Sequence, residues 1–146
     1  MNNTFMGEYS HSIDQKGRLI VPSKFRELLG EKFVVTKGLD GCLWIFSSKE
    51  WDEFTEKLHS LQSSSASVRK ITRFFFAGAT EAETDKQGRI LLPQSLRTYA
   101  KLDKDVVLAG VSNRVEIWNA DEWANASTFD DVEDIAESMG ELGLGF

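Results

Sequence analysis

Two aspartates in this chain each stand four residues ahead of an arginine, with a glycine just before the arginine: Asp14-Gln15-Lys16-Gly17-Arg18 and Asp85-Lys86-Gln87-Gly88-Arg89. These residue types admit two chemistries. Paired carboxylates can share a proton and activate water, as in aspartic-type hydrolases. Alternatively, an arginine just past an exposed turn can offer two parallel N–H donors to the O6 and N7 acceptors of guanine. The neighbours argue against hydrolysis: a pepsin-like site follows its aspartate with a small hydroxyl residue and then glycine, whereas Gln15-Lys16 and Lys86-Gln87 intervene here. A carboxylate that caps its own turn accounts for both aspartates. No Ser-His-Asp set, phosphate-cradling glycine loop or metal-ligand spacing stands out. His11 and His59 lie far apart and are expected at the surface or half-buried, and Cys42 is expected to be an inert small hydrophobe. No catalytic residue, metal ligand or cofactor is assigned, and the chain is expected not to be an enzyme.

Basic residues gather around both motifs, Lys16, Arg18, Lys24 and Arg26 in the first and Lys86, Arg89 and Arg97 in the second. Hairpin tips that project Lys and Arg can enter a DNA groove as a β-ribbon. The residues alone leave open a DNA-contacting loop and a solvated turn with an arginine beside it, although two turns in register are more informative than one. The candidate DNA-binding residues are Arg18, Arg89, Lys16, Lys86, Arg26 and Arg97, with Asp14, Gly17, Asp85 and Gly88 organising the loops. Lys16 aligns with Gln87 and Lys86 with Gln15, so the two lysines need not do the same job. Trp51 and Trp123 occupy equivalent places and are assigned to core packing rather than to stacking on bases.

The motifs belong to a longer internal repeat. Asp14 to Arg26 aligns with Asp85 to Arg97, and the only two prolines, Pro22 and Pro93, share one position. Farther on, Val34-Val35 matches Val106-Val107, Gly38 matches Gly110, and Glu50-Trp51 matches Glu122-Trp123. Each copy reads as ββαββ. An alternating strand with Tyr9, His11 and Ile13 on one face runs into the Asp-x-x-Gly turn, which closes a hairpin. Leu19-Ile20-Val21 then returns as a buried strand, and Pro22 opens a short helix that ends near Gly30. Phe33–Thr36 and Cys42–Phe46 follow as strands around the Gly38–Gly41 turn. Ser47-x-x-Glu50 is a capping-box pattern that starts a longer helix carrying Trp51, Phe54, Leu58 and Leu61. A second closing helix begins near Asn119 to Trp123, and residues 67–77 read as a helix joining the halves.

The expected organisation is a first repeat with its closing helix at 1–62, a linker and connecting helix at 63–78, a second repeat at 79–128 and an acidic tail at 129–146. With four Trp and ten Phe in 146 residues the chain can bury a substantial core, and the halves, each marginal alone, are expected to share it. The net charge of −6 at first argues against a nucleic-acid partner. Its distribution answers that objection: the tail holds Asp130, Asp131, Glu133, Asp134, Glu137 and Glu141 with no Lys or Arg, leaving 17 acidic against 17 basic residues in the body. At the end of the tail, Gly140 to Phe146, glycine is expected to disfavour a stable helix, and the tail is expected to be mobile or weakly docked. No apolar run is long enough to span a membrane and the start lacks a signal-peptide pattern, so a cytoplasmic location is expected.

Met6-Gly7-Glu8-Tyr9, the two Asp-x-x-Gly-Arg-(three apolar)-Pro motifs and their 71-residue offset resemble the MraZ family of bacterial transcriptional regulators, over nearly the whole chain. One motif alone would point only to the wider AbrB-like, swapped-hairpin class of DNA binders. The resemblance implies an α+β, mainly β fold in which the duplicated ββαββ units form an AbrB-like swapped-hairpin barrel with flanking helices. It further implies a ring-shaped homo-oligomer, nucleoid-associated, with double-stranded DNA as partner and no small-molecule substrate. The DNA would be tandem promoter repeats upstream of its own division and cell-wall gene cluster, which it represses. The family's Asp-x-x-x-Arg signature falls on Asp14 and Arg18 and on Asp85 and Arg89. An antitoxin-type module, binding DNA through the barrel and a protein partner through the acidic tail, is the alternative.

Overall fold

The computed structural model describes residues 4–128 and 132–144. The first copy runs β1 (Phe5–Ser12), β2 (Arg18–Ile20), α1 (Ser23–Leu29), β3 (Phe33–Lys37), β4 (Leu43–Ser47) and α2 (Ser48–His59). Then α3 (Ala66–Thr72) continues into a π-helical turn at Arg73–Ala77 and joins the copies, close to the span expected for the connecting helix. The second copy repeats the order with β5 (Thr80–Ala82), β6 (Arg89–Leu91), α4 (Gln94–Tyr99), β7 (Asp105–Ser112), β8 (Val115–Asn119) and α5 (Ala120–Ala126), and α6 (Val132–Glu141) follows.

Local chemistry sets the boundaries. Pro22 and Pro93 take the N-cap position, one residue ahead of the helix each was expected to open. A ring-fixed φ near −55° and a missing N–H cost nothing there, and the Pro22 carbonyl accepts from the N–H groups of Phe25 and Arg26. Gly30 ends α1 at φ 82°, a conformation a side chain disfavours. Ser47 Oγ accepts from the Glu50 N–H, as the capping pattern predicts, and Asn119 Oδ1 accepts from the N–H groups of Asp121 and Glu122. Leu61 lies beyond the end of α2 and is exposed.

The strands pair across the copies. One antiparallel sheet has the order β1-β7-β8-β4-β3-β5, and β2 and β6 form a separate two-stranded ribbon. The first strand of each copy therefore lies against the third strand of the other, β1 on β7 and β5 on β3. This corrects the hairpin expected at the Asp-x-x-Gly turns. The turns form, but the strands on either side of each do not pair with one another. An eight-residue ladder on β7 satisfies more of the β1 backbone than three-residue β2 could. The sheet has two edges, β1 and β5, so the described residues contain no closed barrel.

One face of the sheet carries a core drawn from both copies. Equivalent residues meet in it: Leu19 and Ile90, Val21 and Leu92, Phe25 and Leu96, all at most 2% exposed. The other face packs Cys42, Trp44, Phe46, Phe75 and Trp118 against Trp51, Phe54 and Trp123 of the closing helices. β4 is buried on both sides, which is why it reads as a continuous apolar run. Trp51 and Trp123 are packing residues, as expected. Cys42 is fully buried, and burial pushes its thiol up to about 12, leaving it without the thiolate that reactivity needs.

One further expectation is corrected. Ile20 was placed in a buried strand, yet it is 43% exposed while Leu19 and Val21 are buried, because alternate side chains leave opposite faces of a strand. In the tail, a helix the sequence analysis did not assign, α6, spans Val132–Glu141 and stops in the segment where glycine is expected to disfavour helix. Glu133 and Asp134 favour its N-terminal turn. Gly143 closes the helix. Gly143 stands at φ 83°, its N–H bonds the Gly140 carbonyl, and the Leu144 N–H bonds the Met139 carbonyl, a Schellman ending. Asp130 and Asp131 of the acidic tail lie outside the described residues.

Gly110 lets β1 approach β7. A Cβ at that position would lie 2.7 Å from the Phe5 carbonyl carbon and closer still to the Met6 nitrogen, both of them backbone atoms. Gly110→Ala is expected to lower unfolding free energy by about 1–3 kcal/mol, the usual cost of overpacking, and urea denaturation of the two proteins checks it.

Candidate nucleic-acid interface

The Asp14 carboxylate organises its loop from inside. Oδ1 accepts from the backbone N–H groups of Lys16 and Arg18, each at 2.9 Å, while Oδ2 accepts from Arg18 Nε at 2.7 Å. The Gly17 N–H returns to the Asp14 carbonyl and the Asp14 N–H to the Arg18 carbonyl, which completes a tight turn with Gly17 at φ 84°. Asp85 repeats the pattern on Gln87 N, Arg89 N and Arg89 Nε, each at 2.9 Å. Each aspartate is thus committed to its own turn, as expected of a cap. A proton-sharing dyad would raise one carboxyl, whereas both are lowered here. The backbone N–H of the arginine contributes most to that lowering, partial desolvation opposes it, and the arginine side chain reinforces it.

The pair also aims the arginine. With Nε on the aspartate, the two terminal nitrogens of Arg18 meet no acceptor among the described residues, and those of Arg89 meet only the Gln87 side-chain oxygen at 3.3 Å. That end of the guanidinium carries the parallel donors suited to a guanine edge or a phosphate. Lys16, at the position of Gln87, has no oxygen to offer its arginine. Lys16 and Lys86 are both exposed at the turns.

Backbone pairing brings the two arginines together. β2 and β6 run antiparallel with Arg18 opposite Leu91, Leu19 opposite Ile90 and Ile20 opposite Arg89. The ladder extends at both ends, from the Val21 N–H to the Gly88 carbonyl and from the Leu92 N–H to the Gly17 carbonyl, each 2.9 Å. Leu19 and Ile90 face the core. By alternation, Arg18, Ile20, Arg89 and Leu91 occupy the ribbon's outer face.

Arg26 and Arg97 are placed differently from the other candidates. Each is half-buried and anchors its Nε on the carbonyl that ends its own copy's ribbon strand, Val21 at 3.0 Å and Leu92 at 2.9 Å. Each guanidinium then lies against the turn glycine of the other copy. A Cβ on Gly88 would fall 2.8 Å from Arg26 Cζ, and one on Gly17 would fall 3.0 Å from Arg97 Cζ. Sequence inspection could not show that these arginines brace the turns, since the contact crosses copies. It also passed over Ile20 and Leu91, the latter 64% exposed. Alternation carries only part of that signal: once pairing commits the residues on either side to the core, the middle one must face out.

His11 is half-buried on β1, and His59 is exposed and stacked on Phe76, as expected for side chains outside any site. Among the described residues no cluster of His, Cys, Asp or Glu could hold a metal ion, and no helix is long and apolar enough to cross a membrane.

A duplicated α+β chain whose copies exchange strands and present two aspartate-held arginines on one ribbon is the class that the fold and site define. The family described as "MraZ protein, putative antitoxin-like" matches twice, at residues 4–74 and 75–138. A transcriptional regulator MraZ from Desulforamulus reducens is 57% identical over 140 residues, covering 94% of this chain and 99% of that protein. Those of Acetivibrio thermocellus and Desulfitobacterium hafniense strain DCB-2 are 56% and 58% identical, each covering 96% of this chain and 99% of the relative. The chain belongs to the MraZ family.

Two expected outcomes follow from the loop geometry. A carboxyl held below its ordinary value stabilises the fold above the unfolded-state value, and that contribution is lost as pH falls through the folded value. Asp14 and Asp85 are therefore expected to protonate below the ordinary aspartate range, with the Arg18 and Arg89 Nε protons losing their exchange protection in that same acid window. Carboxyl-carbon and arginine NMR titrations measure both. Gly88→Ala places a side chain at φ 79° and against Arg26, so it is expected to cost more than about 1 kcal/mol in thermal or urea unfolding.

Proposed function

We propose that this protein is a DNA-binding transcriptional regulator and not an enzyme. The observation that carries this reading is the ribbon: Arg18 and Arg89 share its outer face, each fixed through Nε, and among the described residues their terminal donors meet only the Gln87 side-chain oxygen, on Arg89. Arg18 and Arg89 read base edges in the major groove. Lys16 and Lys86, exposed at the turns, engage phosphates and fix the register, sequence-independent work that tolerates the shifted position of the charge. Arg26 and Arg97 act mainly as positioning residues behind the turns, with phosphate contact as a secondary role for their terminal nitrogens. The relatives' printed name, transcriptional regulator, supports the same reading.

The finer reading extends this to an AbrB-like swapped-hairpin arrangement, for which the exchange of β1 and β5 between copies is the supporting observation. A homo-oligomeric ring would set several ribbons along tandem promoter repeats of the protein's own division and cell-wall gene cluster, repressing it, with a cytoplasmic, nucleoid-associated location. The edges of the six-stranded sheet offer surfaces for such assembly. Linked weak contacts of this kind gain affinity when satisfied together. An antitoxin-type reading is favoured by one feature, the acidic helix α6 with Val132 and Ile135 exposed, which suits a basic partner.

Arg18→Ala and Arg89→Ala are each expected to weaken binding to the DNA upstream of the gene by about 1–3 kcal/mol, roughly 5- to 150-fold, with little change in thermal stability. Fluorescence anisotropy against upstream and scrambled duplexes, beside a thermal melt, checks this. Unchanged discrimination in the double variant overturns the base-reading role.

A further inference from the structure

The ribbon exposes two aliphatic side chains that its arginines do not explain. Ile20 is 43% and Leu91 64% exposed, and both stand on the outer face with Arg18 and Arg89. Each lies directly opposite an arginine of the other strand, Ile20 facing Arg89 and Leu91 facing Arg18. The four side chains therefore form a two-by-two array with the arginines on one diagonal and the aliphatics on the other. In both copies the position two residues beyond the arginine is apolar and exposed, while the residues on either side of it are buried.

Resting on the DNA-binding reading above, we infer that Ile20 and Leu91 are specificity-determining residues that contact thymine C5-methyl groups in the major groove, beside the bases read by Arg89 and Arg18. The thymine methyl is the apolar group that the major groove presents, and aliphatic side chains are its natural contact. Spacing supports the pairing. Facing residues on antiparallel strands stand about 4.5–5.5 Å apart, and residues i and i+2 on one strand about 7 Å apart. Base pairs rise about 3.4 Å, so each aliphatic falls within about two base pairs of an arginine-read position. Charge favours DNA over a second copy of this chain as the occupant. An isologous contact through this face would gather four like-charged guanidinium groups into one patch, whereas DNA supplies acceptors for the guanidinium ends and a methyl for the aliphatics.

The test uses a duplex selected by the full-length protein from random-sequence DNA, with each thymine replaced singly by deoxyuridine, which lacks the methyl. Wild-type protein is expected to lose about fourfold in affinity, the transfer value of one buried methyl-sized group, at thymines within two base pairs of a guanine whose replacement also weakens binding. Ile20→Ser and Leu91→Ser, at exposed positions, are expected to keep the fold and the oligomeric state and to lose that uracil sensitivity, each at its own position. Uracil sensitivity retained in Ile20→Ser/Leu91→Ser, absent from the wild-type protein, or ruled out by a selected site free of thymine overturns the inference. Loss of assembly in light scattering with uracil sensitivity intact assigns the face to an interface between copies and also overturns it. The wild-type scan decides even where a serine variant fails to fold. Arg18→Ala/Arg89→Ala separates the two levels: if that variant binds the selected duplex as the wild type does, the DNA reading itself fails, whereas its loss of binding beside unaltered uracil sensitivity in the serine variants removes only the thymine contacts.

Discussion

Pairing of β2 with β6 is the constraint on which the site depends. A three-residue strand alone has nothing to hold it, and two such strands make only a short ladder. Here the ladder is lengthened by the Gly17 and Gly88 carbonyls, each of which accepts from the other copy's strand where that strand leaves the ribbon. Each turn is thereby part of the other copy's strand. Leu19 and Ile90 anchor the ribbon by filling the shared core from beneath, and that burial forces their neighbours outward. The placement of the arginines is thus a consequence of hydrophobic packing, acting through the alternation of a strand.

On that base the aspartates act as local clamps. An exposed ion pair adds little to stability, and these pairs are partly exposed, so their effect is one of geometry. The carboxylate takes two backbone N–H groups with one oxygen and the arginine Nε with the other, so the turn and the side chain are set by a single group. A guanidinium held at Nε keeps its planar end as a unit. Fewer rotamers remain to be lost when it meets a ligand, which is how preorganisation raises affinity.

Much of this was legible in the residues. Asp14 and Gly17 announce the turn, Pro22 the strand-to-helix junction and Ser47 the start of α2, because each acts within a few residues of itself. The candidate arginines Arg18 and Arg89 were visible for the same reason. What a linear reading could not supply was anything decided between copies: which strand β1 would join, the bracing of Gly88 by Arg26, and the outward turn of Ile20 and Leu91. An apolar triplet such as Leu19-Ile20-Val21 looks buried throughout until its partner and its register are known. In the tail, the glycine at 143 announces where helix must stop, and the helix ahead of it, Val132–Glu141, carries no comparable local mark.

The copies are equivalent in backbone and unequal in detail. Lys16 faces solvent where Gln87 turns to its own arginine, Ile20 stands where the other copy has Leu91, and Trp44 in the sheet matches Glu116, which is bonded to Arg114 and Trp118. Two identical chains would have to present matching halves, a surface suited to palindromes. Tethering both copies in one polypeptide removes that requirement, because a substitution in one is not imposed on the other. The ribbon consequently has polarity: a double helix laid along it meets different side chains from head to tail, and can be held in one orientation.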